Sequence, residues 1–125
     1  MDFMNREWWT LFVNEWNESP ECRRLAGLGA VGFEVYDSQH GTICVEWDSN
    51  GQARLLPQQP DGLIMFRASE QAWNAFFQSQ FRAVIGVLSK KLSYEGPMAR
   101  IMPYAAAFDV IPSVVRRLND SFTPV

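Results

Sequence analysis

The sequence contains few of the side chains that enzymes and metalloproteins use. It has one histidine, His40, and two cysteines, Cys22 and Cys44, among 125 residues. These residues show none of the spacings typical of a metal site, and no serine or cysteine lies in a nucleophile motif with an evident base. We therefore expect no catalytic residues, no metal and no cofactor, and we interpret both cysteines as reduced core residues.

Long apolar runs are also absent. No run approaches the ~20 residues that a membrane-spanning helix needs. The first residues are acidic and aromatic, unlike the basic region followed by an apolar run that marks a signal peptide. From this pattern we expect a cytoplasmic protein.

The sequence has no strong charge of either sign. Its formal net charge is −3, and no basic stripe is interleaved with aromatic residues, which argues against nucleic-acid binding. The charge is uneven, however, because residues 80–125 carry six basic and three acidic side chains whereas residues 1–79 carry five and eleven. The basic part could make transient contact with an anionic headgroup or membrane surface, or it could be an ordinary solvated surface.

Apolar and aromatic residues are plentiful, at 47% and 14% of the chain. A chain of this length can bury a core without disulfides, so we expect one globular domain over residues 1–125. The spacing predicts a first helix over 5–18, with Asn5 as its N-cap, and a short second helix after Ser19-Pro20. One face of the first helix collects four large aromatic side chains: Trp8, Trp9, Phe12 and Trp16.

The hydrophobic period changes to two after residue 30, which predicts strands. Asn50-Gly51 is a strong hairpin signal, and the short connections predict an antiparallel meander. Helices after Ser69 and over 81–88 follow, then a further strand and an apolar helical segment. The predicted strands lie at Val31–Val35, Ile43–Trp47, 52–56, 63–68 and 91–95, and the last helical segment at 98–119.

The last helical segment is rich in methionine and in small residues. Met98 and Met102 precede Ala105, Ala106 and Ala107. Methionine adapts to irregular apolar surfaces, and small residues leave room beside a helix. The pattern is typical either of an apolar binding surface or of ordinary core packing.

The order of elements resembles the sterol carrier protein 2 family. Local patterns that resemble this family are Phe33–Val35, Val45–Gly51, Pro60–Gly62, Phe66–Trp73 and Leu88–Ala99. Each is weakly specific alone, and their order and spacing over most of the chain carry the resemblance.

The resemblance implies a stand-alone, bacterial-type α+β domain. It implies a five-stranded, mainly antiparallel sheet covered by helices, with an apolar cavity closed by the C-terminal helix. It also implies a non-enzymatic protein that binds or transfers a fatty acid, an acyl-CoA, a sterol-like lipid or an isoprenoid. The family often has Gly where Ser79 and Lys90 stand, and Asp where Pro97 stands.

On this basis we expect one set of residues to line the cavity: Trp73, Phe77, Phe81, Ile85, Met98, Ile101, Met102, Ala105 and Phe108. We expect Arg100 to meet the ligand headgroup, and segment 98–118 to act as a lid hinged near Gly96-Pro97 and weakened at Pro103 and Pro112.

Two other functions remain open at the level of sequence. The first is an interaction or accessory module of the same fold with a filled cavity, which could form a homodimer through the tryptophan-rich first helix. The second is a small enzyme that would use acids brought together by the fold, with Glu34, Glu46 and Glu95 as the candidates.

Overall fold

A computed structural model of the protein describes residues 4–36 and 41–122. Within these residues the chain forms five strands and five α-helices, with a 3-10 helix after α1 and another before α5. The strands are β1 Gly29–Val35, β2 Ile43–Trp47, β3 Ala53–Leu55, β4 Ile64–Ala68 and β5 Ser93–Glu95. The helices are α1 Arg6–Asn17, α2 Glu70–Phe77, α3 Ala83–Leu88, α4 Met98–Ala107 and α5 Ile111–Phe122.

The strands form one sheet in the order β3-β2-β1-β4-β5. The pairings β1–β2, β2–β3 and β4–β5 are antiparallel, as predicted for a mainly antiparallel sheet. The predicted meander is wrong at its fourth strand, because β4 pairs with β1 in parallel instead of continuing beside β3.

The register of the sheet explains how the short connection between β3 and β4 can place β4 parallel to β1. Leu55, the last residue of β3, lies in the same row across the sheet as Val45, Val31 and Ile64, the first residue of β4. Three strand spacings separate the ends, about 14 Å at ~4.8 Å each. Residues 56–63 reach that far without returning along the sheet, so no crossover helix is needed.

This crossover covers part of the outer face of the sheet. Gly32 lies in one row with Cys44 and Met65, and a side chain at Gly32 would collide with Leu63 of the crossover. Cys44 and Met65 are buried beneath it, and burial raises the pKa of the Cys44 thiol. Both Cys44 and Cys22 are free thiols, as the sequence predicts.

The inner face of the sheet carries the core, and α1 packs on it through its aromatic face. Asn5 caps this helix as predicted, accepting a hydrogen bond from the Trp8 backbone N–H at 2.8 Å. The four aromatic side chains are almost completely buried: Trp8, Trp9, Phe12 and Trp16. The face that suggested a homodimer is therefore covered by the chain itself.

A polar side chain at the end of α1 covers the edge of β3. The Asn17 side chain accepts a hydrogen bond from the Ala53 backbone N–H at 2.7 Å and donates one to the Ala53 carbonyl at 3.0 Å. The Asn17 amide thus binds the backbone of β3 in the manner of a neighbouring strand.

Two turns keep a left-handed backbone where the resembled family has glycine. Ser79 lies between α2 and α3 with φ +61°, and Lys90 lies between α3 and β5 with φ +65°. A residue with a side chain in this conformation costs about 1–2 kcal/mol, so the surrounding helices must hold both turns in place.

The tryptophans of the core differ in whether their indole N–H is bonded. Trp16 donates to the Gly51 carbonyl at 2.8 Å, whereas the buried Trp47 N–H has no acceptor among the described residues.

This difference predicts unequal losses of stability. Because both rings are buried, Trp16→Phe and Trp47→Phe remove similar volume, but only Trp16→Phe breaks a hydrogen bond. We expect Trp16→Phe to lower the free energy of unfolding by about 1 kcal/mol more than Trp47→Phe does, measured by urea denaturation. Equal losses would contradict this.

Candidate ligand-binding site

Five of the nine residues expected to line a cavity lie in the packed core. Trp73 and Phe108 both contact the same central ring, that of Phe33, with centroid distances of 5.9 and 5.6 Å. All five are at most 4% exposed: Trp73, Phe77, Ile101, Ala105 and Phe108. The structure therefore brings these residues to one side of the sheet, where they fill space between it and the helices.

The other four residues lie further out. Phe81 and Met102 are half-buried against the core, whereas Ile85 and Met98 are 51% and 46% exposed. The expected set thus runs from the core to the surface, and Ile85 lies on the outside of α3.

Met98 leads to an apolar groove between α3, β5 and the first turn of α4. The groove has a volume of about 350 Å³. Its lining residues are Val87, Leu88, Lys90, Leu92, Ser93, Tyr94 and Met98. Lys90 and Ser93 give this apolar surface a polar rim, an arrangement typical of pockets that orient an apolar ligand by a few polar groups.

The floor of the groove is close-packed. A methyl group at Gly86 of α3 would approach Phe81 at 2.6 Å and Leu92 at 3.0 Å, so α3 lies directly on Leu92. From the groove, Met98, Ile101 and Ala105 follow one another along α4 at spacings of three and four residues, and therefore share a face. This stripe connects the surface groove with the core.

Sequence reasoning missed most of the groove lining. Val87, Leu88 and Leu92 look like ordinary core positions in the sequence, yet Leu88 is 62% exposed. A usable signal was present in α3, whose six residues are all apolar or glycine. A short helix without a polar face must leave apolar side chains at the surface unless it is buried all round.

Other surface depressions are less apolar. One of about 650 Å³ along the outer side of α2 is lined mainly by polar residues, among them Glu70, Gln71 and Asn74. Another beside Arg82 and Asp109 is also largely polar. Among these depressions, the groove at Met98 fits an apolar ligand best.

The carboxylates considered for an enzyme are held in ion pairs on the outer face of the sheet. Arg67 contacts Glu34 at 2.5 Å and Glu95 at 2.6 Å, and Arg54 contacts Glu46 at 2.8 Å. The hydrogen bonds that Arg67 donates to Glu95, the larger effect, and to Glu34 raise the pKa of Arg67. Cross-strand pairing accounts for these acids, because Glu34 faces Arg67 and Glu46 faces Arg54 in the register.

Polar contacts, among them the following three, fix the C-terminal helices to the rest of the chain. The Tyr104 hydroxyl of α4 donates to the Leu28 carbonyl at 2.9 Å, and the Asp109 carboxylate accepts from the Ala83 N–H at 3.0 Å. On α5, Arg117 forms a paired contact with Glu21, at 2.7 and 3.1 Å. The hydrogen bond from Arg117 lowers the pKa of Glu21.

The helical run Met98–Asp120 is 23 residues long and, by length and composition alone, apolar enough to cross a membrane, although the sequence shows no unbroken apolar run of that length. Part of this run is buried in the fold, where Phe108, Ile111 and Val114 are at most 1% exposed, whereas Met98 at its start is 46% exposed.

Comparison with known proteins identifies the fold. No protein-family model matches the sequence, and no curated protein matches it. A crystal structure of sterol carrier protein 2 matches with a TM-score of 0.70 at 17% identity, covering 92% of this chain and 98% of that one. A possible sterol carrier protein from Thermus thermophilus matches with a TM-score of 0.71 at 15% identity, covering 94% and 90%.

A third solved structure, described as the ubiquinone synthesis protein UbiJ-SCP2, matches with a TM-score of 0.57 at 14% identity over 84% of this chain and 89% of that one. At these identities the likeness establishes the fold. The chain has the sterol carrier protein 2 fold, as the resemblance in sequence implied.

The contact between Arg117 and Glu21 makes a prediction about acid stability. Because its pKa is lower in the folded than in the unfolded chain, Glu21 stabilises the fold above its unfolded pKa, and this contribution is lost as the pH falls through the folded pKa. We expect Glu21→Gln to reduce the loss of melting temperature between neutral pH and about pH 3. Glu18→Gln, at an exposed glutamate, is the control and should leave the acid profile unchanged. An unchanged profile for Glu21→Gln would refute the assignment.

Proposed function

We propose that residues 1–125, which have the sterol carrier protein 2 fold, act as a single domain that binds an apolar ligand such as a fatty acid or another lipid and carries it in the cytoplasm without catalysis. The ligand would enter through the groove at Met98 and extend beneath α4 along Ile101 and Ala105. The observation that carries this proposal is the apolar groove, open at the surface and continuous with the inner stripe of α4.

The chemistry of the groove restricts the class of ligand. Its walls are aliphatic and aromatic, and burial of each CH₂ group contributes about 0.8 kcal/mol, so an alkyl or isoprenoid chain suits it. The polar end of the ligand would stay near Lys90, which lines the groove, and within reach of Arg100, which is exposed two residues after Met98. An acidic or phosphorylated headgroup fits these two cations.

Entry beneath α4 requires this helix to move, and its anchoring is uneven. Within α4 only Ile101 and Ala105 are buried, and Pro103 inside the helix removes a backbone donor. At the expected hinge, Gly96 has φ +136°, a backbone conformation that favours glycine. The Tyr104 hydroxyl holds α4 to the Leu28 carbonyl by a neutral hydrogen bond that opening would break, whereas Arg117 holds α5 by a charged contact with Glu21. We therefore place the movement of the lid in α4, with α5 as its fixed end.

A second candidate is an accessory module with a filled core. It is favoured by the close aromatic packing around Phe33, with Trp9 at 4.7 Å and Phe108 at 5.6 Å between ring centroids. The likeness to UbiJ-SCP2, by name a ubiquinone synthesis protein, is compatible with such a role. In that case the groove would stay without an alkyl ligand.

The groove makes a prediction that separates the two candidates. Met98→Trp would fill the groove at a position that is already exposed, so the fold should tolerate it. We expect it to weaken binding of a fluorescent fatty acid by about tenfold or more, measured by titration. Tyr36→Trp is the matched control, because Tyr36 is also 46% exposed and lies outside the groove lining; it should bind as the wild type does. Failure of the wild-type protein to bind any apolar probe would refute the carrier and favour the accessory module.

The lid makes a prediction about hydrogen exchange. We expect the amides of Met98–Ala107 to exchange faster than those of β1 and β4 in the free protein, because few of its side chains are buried. Saturation with a fatty acid should slow this exchange, whereas exchange in α5 should change little. If α4 is as protected as the central strands both with and without ligand, the lid assignment is wrong.

A further inference from the structure

Exposed apolar side chains gather at one corner of the molecule. Among the described residues four large hydrophobic side chains are exposed, and three of them belong to α3 and to the start of α4. These are Ile85 at 51%, Leu88 at 62% and Met98 at 46% exposed. Ile85 and Leu88 are three residues apart on α3 and so share a face. The wholly apolar sequence of α3 leaves two of these side chains at the surface, and Met98 adds a third.

Three cations lie close to these side chains in the sequence. Lys90, Lys91 and Arg100 are exposed and lie within a few residues of Leu88 or Met98 in the chain. We call these three cations and the three apolar residues the basic corner. The Lys91 ammonium lies 5.0 Å from the centroid of the half-buried Phe81 ring, which keeps this charge beside the apolar surface of α3.

Acidic residues are absent from the stretches of sequence that build this corner. None occurs between Gln71 and Tyr94, or between Gly96 and Phe108. Three acids border these stretches. Glu70 lies in the first turn of α2, Glu95 is bound to Arg67, and Asp109 accepts the Ala83 N–H and lies 4.0 Å from Arg82. The corner is therefore positive on a protein whose net charge is −3.

We propose that the basic corner docks on an anionic lipid bilayer. Cations beside exposed aliphatic side chains match an interface where phosphate groups lie next to acyl chains. Leu88, Ile85 and Met98 would enter the headgroup region, while the lysines and Arg100 contact the lipid phosphates. With only these three cations, docking is reversible and depends on salt, because screening at physiological ionic strength acts over about 8 Å.

The position of the groove favours a bilayer as the partner. Leu88, Lys90 and Met98 belong both to the basic corner and to the groove lining, so the groove opens where the bilayer would lie. A lipid could then pass between bilayer and groove without crossing water. This link to ligand exchange rests on the proposed function, whereas docking itself does not.

Vesicle flotation tests the docking with a matched pair of variants. The wild-type protein should bind vesicles of phosphatidylcholine mixed with phosphatidylglycerol, bind vesicles of phosphatidylcholine alone far more weakly, and be released by added salt. The double variant Lys90→Glu with Lys91→Glu should bind the anionic vesicles at least about tenfold more weakly than the wild type. Arg23→Glu with Arg24→Glu makes the same change of charge at two adjacent exposed residues elsewhere and should bind within about twofold of wild type.

A separate variant tests how much the exposed apolar side chains contribute to vesicle binding. Leu88→Ser keeps every charge and, at an exposed position, should leave the melting temperature nearly unchanged while weakening vesicle binding several-fold. Undiminished binding of Leu88→Ser would mean adsorption by charge alone and would overturn the docking geometry. Absence of wild-type binding, or equal loss in both double variants, would overturn the proposal as a whole.

A fatty-acid titration without vesicles tests the proposed carrier function independently of vesicle docking. Vesicle binding by a protein that takes up no fatty acid would support docking and refute the carrier. Fatty-acid binding without vesicle binding would support the carrier and overturn docking.

Discussion

Four parts of the chain meet on the ring of Phe33, at the centre of the sheet. Trp9 of α1 stacks on it at 4.7 Å, and Trp73 of α2, Trp47 of β2 and Phe108 before α5 surround it at 5.6 to 6.3 Å. Aromatic pairs of this kind contribute about 0.5–1.5 kcal/mol each beyond the area that they bury. The positions of the helices over the sheet follow from these contacts, since α1, α2 and the segment before α5 each deliver one large ring to the same place.

This packing also sets where apolar surface is left open. The space beside Phe33 is occupied by the protein's own side chains, whereas the apolar groove lies at the periphery, between α3, the three-residue strand β5 and the first turn of α4. The groove is thus at the edge of a conventional core. The exposed apolar residues lie at this periphery, and they do not reflect poor packing of the core.

The sequence predicted the elements well, because local signals determine them. Asn5 caps α1, Ser69 caps α2 and the hairpin at Asn50-Gly51 lies where the turn residues place it. The pairing of β4 was mispredicted, because the choice between β3 and β1 depends on register across the whole sheet and not on the length of the connection alone. The groove was largely missed for a related reason, since whether Leu88 faces the core or the solvent depends on how α3 lies over Leu92.

Both edges of the sheet are short, and each has a feature that opposes the addition of a strand. At β3, three residues long, the amide of Asn17 takes the outward N–H and carbonyl of Ala53; at β5, Arg67 and Glu95 place charges beside the edge. Long free edges are the surfaces through which sheets of separate molecules join into fibrils. A chain that exposes aliphatic side chains at one corner is at particular risk of such self-association, and the bonded edge at β3 and the charged edge at β5 both disfavour backbone pairing with a second molecule.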